Sequence, residues 1–363
     1  MKTAVIGIGF GDEGKGCTVN WLCSLNPDTL VARYSGGHQA GHHAINSETG
    51  QEHIFSNFGS GTLYGNASYY GERCTIDPIG IRIEYQALRK LGLHPKLIIN
   101  ANCPVVTLMD KFANIENKET RDHGSCGIGF FETLKRQKAM YSLVAEDLIF
   151  PDIFPIKYGL IENYYGLTLA SSHKDSFIRA AHWLKANPAI QIVQNIPKSN
   201  NIIYESSQGL LLDKDIGFFP HVTPSSVGHQ YFREENIEID HTYFVTRAYQ
   251  TRHGNGPMTQ SHSLMDLSKN FDKTNQPNAY QKAMRATILD LDLLKYGLVK
   301  NKSTAAKHTL VITCLEHLNS FKYIDKGELY QYVCAESFCR NIGMVLGFSN
   351  VIMCKNYEFL EVY

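Results

Sequence analysis

Asp12 and Lys15 lie within one glycine-rich segment, Thr3 to Gly16, which reads Thr-Ala-Val-Ile-Gly-Ile-Gly-Phe-Gly-Asp-Glu-Gly-Lys-Gly. Gly9, Gly14 and Lys15 fit G-x-x-x-x-G-K, a pattern whose backbone N–H groups close around phosphate oxygens while the lysine adds a point charge. The next residue in an ordinary phosphate loop is Ser or Thr, whose hydroxyl holds Mg²⁺, and here it is Gly16. A carboxylate among phosphates is costly unless it binds a metal or takes up a proton. Asp12 therefore reads as catalytic. The competing reading is a chance glycine turn. The apolar run Ala4–Ile8 before the segment and a helical stretch from Cys17 to Leu25 after it supply the context a phosphate loop needs.

Other segments carry similar chemistry. Residues 33–43 read Arg-Tyr-Ser-Gly-Gly-His-Gln-Ala-Gly-His-His. The spacing H-x-x-x-H-H suggests a metal, but a glycine loop lacks the helical or hairpin frame that aims such ligands. A histidine beside a phosphate loop is better read as a general acid or a phosphate contact, with His38 and His43 as packing residues. His123-Gly-Ser-Cys-Gly-Ile-Gly129 offers small residues and free N–H groups, a nest for an anion. Glu205-Ser-Ser-Gln-Gly209 is followed by Asp213 and by Phe219-Pro-His-Val-Thr223; here Gln208 could read a base edge and Thr223 could bind phosphate. Arg247-Ala-Tyr-Gln-Thr-Arg-His-Gly-Asn-Gly-Pro257 is a further glycine-bearing loop.

Such loops need strands to end on. Apolar runs at Ala4–Ile8, Thr29–Tyr34, Leu97–Asn100, Asn201–Tyr204, Tyr243–Ala248, Thr309–Thr313 and Asn350–Cys354 read as strands. Helical stretches lie between several of them. Asp77-Pro78 caps one, with Ile79, Ile83, Ala87, Leu88 and Leu91 on one face and Gly92 as its stop; others run Asp175–Ala186 and Leu289–Gly297. The alternation predicts an α/β fold, a large mostly parallel twisted sheet flanked by helices, within a single catalytic domain spanning residues 1–363. Ligand loops in such sheets gather at the carboxyl ends of strands. The 35 basic residues balance the 35 acidic ones, so no basic surplus points to nucleic acid. No apolar stretch is long enough to span a membrane, and the first apolar run reads as core strand rather than leader. Nine cysteines without a C-x-x-C pair suggest reduced thiols, and a cytoplasmic protein (host cytoplasm if viral) is expected.

Taken in order, G-D-E-G-K-G, R-Y-x-G-G-H-x-A-G-H, Q-G-x-x-x-D, P-x-V-T and A-Y-x-T-R-x-G-x-G-P resemble the adenylosuccinate synthetase family, from residue 3 to about residue 290. The resemblance implies a homodimeric enzyme with a fold related to P-loop NTPases. It implies a C–N ligase that uses a nucleoside triphosphate and Mg²⁺ to join L-aspartate to C6 of a 6-oxopurine nucleotide. Asp12 would take the N1 proton so that O6 attacks the γ-phosphate, and His42 would donate to the β–γ bridge or to O6. Lys15, with Gly11, Glu13, Gly14, Gly16, Gly41 and His42, would form the triphosphate site, and Asp12 and the Gly41 carbonyl would hold the metal. The acceptor nucleotide would meet Asp12, Gln39 and Gln208, with Ser125, Thr223 and Arg136 on its 5′-phosphate, Arg136 reaching across the dimer. Thr274, Asn275 and Arg285 would grip the aspartate carboxylates.

Departures from the family pattern sharpen the expectation. Cellular members usually read T-K-x-D where this chain has Thr313-Cys314-Leu315-Glu316. Loss of the lysine points to ATP or dATP rather than GTP as donor. Lys282, Ala283 and Met284 stand before Arg285 where the family usually carries arginines, one of which touches the ribose hydroxyl; a deoxynucleotide acceptor follows. These traits, with a short, divergent C-terminal third, are most like the phage branch that makes 2-aminoadenine for viral DNA. The expected reaction is dGMP plus aspartate to N6-succino-2-amino-dAMP, the alternative being IMP in ordinary purine biosynthesis. Asp12 favours the alternative, because many phage members lack that carboxylate. A generic P-loop GTPase lacks the base motif, and a non-catalytic binder is at odds with the presence of both Asp12 and His42.

Overall fold

The computed structural model describes residues 1–117, 127–167, 169–259 and 284–362. Across these, ten strands form one sheet in the order β17 (Glu358–Val362), β16 (Val351–Lys355), β13 (Lys307–Thr313), β9 (His241–Arg247), β1 (Lys2–Gly7), β8 (Asn201–Gly209), β2 (Thr29–Arg33), β5 (Ser68–Tyr70), β6 (Leu97–Asn100) and β7 (Ile190–Val193). All neighbours pair parallel except β16 and β17. Beside the sheet lie two antiparallel pairs, β3 (His42–Ile45) with β4 (Glu52–Phe55) and β10 (Gln250–Arg252) with β11 (Arg285–Thr287). A small unit runs β12 (Leu289–Asp290), β14 (Phe321–Asp325), β15 (Glu328–Tyr332). The helices are α1 (Lys15–Leu25), α2 (Pro78–Lys90), α3 (Leu108–Glu116), α4 (Phe130–Lys138), α5 (Ile153–Tyr165), α6 (Ser171–Ala186), α7 (Gln230–Glu234), α8 (Leu291–Asn301) and α9 (Ala335–Leu346).

The central strands are apolar on both faces because helices cover both. Along β1, Ala4 and Ile6 pack with Phe244, Leu310 and Leu294, while Val5 turns the other way onto Val19 and Leu22 of α1. That alternation is the period-2 geometry of a strand. The antiparallel β17 closes one edge, and its Phe359 stacks on Trp21 of α1 at 4.5 Å. No helix among the described residues is long and apolar enough to cross a membrane.

The α/β architecture and its mostly parallel sheet agree with the sequence reading, and so do the predicted strands, with ends shifted by a few residues. Two details differ. Asp77 caps α2, its side chain accepting from the Ile79 amide at 3.2 Å, but the buried face holds Ile81, Glu84 and Leu88, and Ile83 is 62% exposed. Glu84 is polar yet faces inward because it accepts from the backbone amides of Ser56 and Asn57, a contact that apolar periodicity cannot register. The helix expected from Leu289 begins at Leu291 instead. Asp290 serves as its cap, accepting from the amides of Asp292 and Leu293 at 3.0 and 3.2 Å, and the helix continues through Gly297 to Asn301.

Candidate active site

The loops that follow β1, β2, β8, β9 and β13 leave neighbouring strands at their carboxyl ends, where an open parallel sheet gathers its ligands. In the loop after β1, Gly11 and Gly14 have φ of 93° and 84°, and Asp12 between them has φ of 58°. Aspartate is among the few residues that tolerate this left-handed backbone. Glu13 turns inward. Its carboxylate accepts from the amides of Gly9 and Gly11 at 2.8 and 2.9 Å and from Lys15 Nζ at 2.7 Å, in near-complete burial. A Cβ on Gly7 would stand 2.1 Å from one Glu13 oxygen, and a Cβ on Gly209 2.3 Å from the other. Position 209, where that Cβ would also stand 2.3 Å from the Gly9 carbonyl, therefore requires glycine, while a larger residue at position 7 would displace the Glu13 and Lys15 side chains. Glu13 was expected among the groups that hold phosphate. A carboxylate only accepts hydrogen bonds, and here it engages the very donors, Lys15 included, that the motif aims at phosphate.

Asp12 is gripped from the far side of the loop. Its carbonyl accepts from Arg247 Nε at the end of β9, and its Oδ2 lies 3.1 Å from Nε2 of His253. Burial pushes the Asp12 carboxyl up, but His253, Arg247 and Lys15 outweigh it and hold the group below the usual aspartate value.

His42 opens β3, which does form a hairpin with β4. A Cβ on Gly16 would stand 2.7 Å from His42 Cβ, so the first turn of α1 sits directly on this strand and brings the Lys15–Gly16 turn beside Gly41 and His42. His42 Nδ1 lies 2.6 Å from Glu205 Oε1, and Glu205 also accepts from the Ser60 amide at 3.2 Å and from the Ser60 hydroxyl. Burial, with help from Arg33, lowers the His42 pKa to about 4 against the pull of Glu205. Burial raises Glu205, but His42, Arg33 and Ser60 outweigh it and keep the carboxylate ionised. Strand alternation turns His43 the other way, toward Glu52 at 3.3 Å and the Tyr357 hydroxyl at 3.2 Å. His38 packs near Asp77 at 3.7 Å, and burial lowers its pKa to about 4. Among the described residues no group of three or more His, Cys, Asp or Glu side chains is placed to hold a metal. Asp12 and the Gly41 carbonyl are two hard oxygens, a donor set that suits Mg²⁺, which takes one or two protein oxygens and completes its shell with phosphate and water.

Around Gly36 and Gly37, and along Gly11, lie three residues with buried acceptors. Gln39 folds over Gly36 and Gly37: Thr75 Oγ1 and Gln39 Oε1 lie 2.1 and 3.0 Å from the point a Gly37 Cβ would take, and Gln39 Nε2 lies 3.0 Å from that of Gly36. The backbone of Gln208 passes 3.7 Å from the corresponding point on Gly11. Gln39 Oε1, Gln208 Oε1 and Thr75 Oγ1 are buried without a hydrogen-bond partner in the chain. Buried polar atoms are rarely left so, and a cluster of them marks room for a polar ligand. Thr223 is half-buried nearby in sequence, its amide bonded to the Leu212 carbonyl at 2.7 Å.

Two arginines face each other across the β10–β11 pair, with Arg252 in register with Arg285. Arg285 Nη2 donates to the carbonyls of Gly254 and Gly256 at 2.9 and 3.1 Å. Arg252 donates to Pro257 and His221 carbonyls at 2.6 and 3.1 Å and covers the Phe10 ring at 4.2 Å. Burial and then the Arg285 charge lower Arg252 to about 10. Among the described residues neither guanidinium has a carboxylate partner. Arg136 is placed differently from the sequence expectation. Fully buried, it donates to Asp110 at 2.8 and 3.0 Å, to the Tyr141 carbonyl at 2.6 Å and to the Val105 carbonyl at 2.8 Å. With its donors committed inside its own protomer, it does not reach outward. Ser125, Thr274 and Asn275 lie outside the described residues.

Glu205, Arg247, Arg252 and His253 belong to segments that sequence reading singled out, yet it gave them no role. One signal was available: Arg33, Glu205 and Arg247 are charged residues at or near the carboxyl ends of otherwise apolar strands, where buried charge has to serve something.

The sequence model of the family described as adenylosuccinate synthetase matches residues 4–343. Adenylosuccinate synthetase from Francisella philomiragia is 28% identical over 376 residues, covering 94% of this chain and 84% of its own. The Ehrlichia ruminantium enzyme is 28% identical over 368 residues, with 93% and 84% covered. Among solved structures, fully ligated adenylosuccinate synthetase from Plasmodium falciparum superposes with a TM-score of 0.77 at 17% identity, covering 98% of this chain and 97% of that one. Cyanophage S-2L succinoaminodeoxyadenylate synthetase, solved with dGMP and with dATP as an energy donor, gives 0.67 at 14% identity, covering 99% and 95%.

Proposed function

The chain belongs to the adenylosuccinate synthetase family, C–N ligases that join aspartate to a nucleotide at the expense of a nucleoside triphosphate with Mg²⁺, and on that premise we propose that its acceptor is dGMP, its energy donor ATP or dATP, and its product N6-succino-2-amino-dAMP. The observation that supports the choice of acceptor is the set of buried, unpartnered acceptors Gln39 Oε1, Gln208 Oε1 and Thr75 Oγ1 on the segments around Gly36, Gly37 and Gly11. A 2-amino-6-oxopurine brings N1–H and a 2-amino group to such a set, whereas hypoxanthine brings N1–H alone. On the donor side, Cys314 replaces the usual lysine, with the Glu316 carboxylate next to it accepting from the Asn356 amide at 3.3 Å.

In this reading Asp12 removes the N1 proton, O6 attacks the γ-phosphorus, and the nucleoside diphosphate leaves. His42, buried and neutral in the ligand-free site, commits Nδ1–H to Glu205 and leaves Nε2 toward the phosphates. Their negative charge raises its proton affinity, so it can carry and donate a proton as the β–γ bridge breaks. Mg²⁺ on Asp12 and the Gly41 carbonyl would neutralise phosphate charge. Arg252 and Arg285 take the aspartate carboxylates, and the aspartate amine displaces phosphate from C6. The enzyme acts as a homodimer.

IMP as acceptor is the second reading, favoured by the presence of Asp12, a carboxylate that many phage-branch members lack. Product analysis after separate incubation with dGMP, dIMP and IMP tests the choice. Turnover of dGMP is expected, and turnover of IMP alone would overturn it. A strong preference for GTP over ATP and dATP would overturn the donor assignment.

A further inference from the structure

His253 has no part in the chemistry described so far, yet it makes a direct contact with the base. It follows β10 and places Nε2 3.1 Å from Asp12 Oδ2. The same stretch of chain touches the loop twice more: Thr251 Oγ1 donates to the Gly11 carbonyl at 3.4 Å, and Arg247 Nε donates to the Asp12 carbonyl. Arg247 is steadied in turn by the Tyr249 hydroxyl at 2.6 Å, which meets His317 Nδ1 at 2.7 Å. Asp12 needs such support. It stands in a left-handed backbone next to Gly11, and its side chain is free to turn about two bonds unless something holds it. A general base works only when its oxygen lies within hydrogen-bond reach of the proton it takes.

We infer that His253 is a positioning residue: its Nε2–H donates to Asp12 Oδ2, fixes the rotation of the carboxylate, and leaves the other oxygen to take the purine N1 proton. His253 acts through Asp12. The role asks only for an N–H donor at that point and needs no charge, so a side-chain amide of similar reach can fill it. The inference rests on the family's reaction and is independent of the choice between dGMP and IMP.

The test compares wild type, His253→Ala and His253→Gln in steady state, using whichever acceptor the wild type turns over fastest, with melting temperatures recorded for all three. Positioning predicts that His253→Ala lowers kcat roughly 10- to 100-fold, the scale seen when a group that orients a working ligand is removed. KM for the triphosphate and for aspartate stays within about threefold, melting is unchanged, and His253→Gln recovers most of the lost kcat. A kcat for His253→Ala within twofold of wild type would overturn the inference, as would a rise in KM without a fall in kcat. A loss that His253→Gln fails to repair in a protein that melts like wild type would also overturn it. The acceptor proposal fails on a different reading of the same assay, namely that the fastest acceptor is IMP and dGMP gives no product.

Discussion

Two groups of arginines show opposite solutions to burying a guanidinium. Arg136, between α3 and α4, is matched donor for donor by Asp110 and two carbonyls. Arg252 and Arg285 stand in register across two short strands, donating to backbone carbonyls, with Arg252 also over the Phe10 ring, and among the described residues neither meets a carboxylate. Like charges directly opposite on a strand pair are destabilising. Compensated charge holds the fold, whereas uncompensated charge is what the proposed aspartate carboxylates would meet. The same division separates Glu84, which accepts from the amides of Ser56 and Asn57, from Asp12, proposed to take the purine proton.

Four experiments would break or sharpen that division. The largest effect falls on the chemistry: Asp12→Ala and His42→Ala should each lower kcat per folded molecule by about 10²–10⁴-fold, with melting near wild type for Asp12→Ala and lowered for His42→Ala, which takes a partner from buried Glu205. Near-normal turnover in either variant would remove it from the reaction. Next, Arg136→Ala should cost about 3–5 kcal/mol of stability, measured by denaturant unfolding, because Asp110 would be left buried without its partner. Activity per folded molecule should persist; a stable Arg136→Ala protein that had lost nucleotide binding would put Arg136 back in the site. Third, Arg252→Ala or Arg285→Ala should raise KM for aspartate roughly tenfold or more, the scale of a lost charge-assisted hydrogen bond, with stability equal to or above wild type. A large drop in stability would make these arginines structural after all.

The smallest effect concerns protons. His229 is buried among Thr242, Ser303, Thr304 and His308, with Arg233 nearby, and burial lowers its pKa to about 4, as it does for His38. Between that value and 6.5 the unfolded chain binds more protons than the folded one, so stability is present above pH 6.5 and is lost as pH falls toward 4. From pH 7 to pH 6 the loss should be about 0.7 kcal/mol per histidine, visible in denaturant midpoints. His42 titrates in the same window but faces the nucleotide site, so saturating ATP should blunt its share and leave that of His229 untouched. An acid transition insensitive to His229→Asn would show that burial alone does not set it.

Much of the fold was legible because a strand covered on both faces leaves an unbroken apolar run, as in β1, β2 and β13. β5 and β7 were not, since three or four residues such as Ser68-Tyr69-Tyr70 carry too little pattern, and their place in the sheet comes from neighbours distant in sequence. In the site, the loops that carry Asp12, Lys15 and His42 could be picked out because glycine loops constrain their own neighbourhood. Glu205 could not, since its meaning lies in His42, 163 residues away. Arg136 was misplaced for the same reason: its partner, Asp110, sits on another helix and is invisible to a motif. His253 needed the hairpin that returns it to the first loop.

Glu13 carries a last consequence. A nucleotide-binding turn that depends on incoming phosphate for its shape must be ordered by its ligand. Here a resident carboxylate bridges two glycine amides and the lysine ammonium, so the turn stays tensioned with nothing bound. For this one turn, the ordering cost that a floppy loop would levy on its ligand has been met during folding.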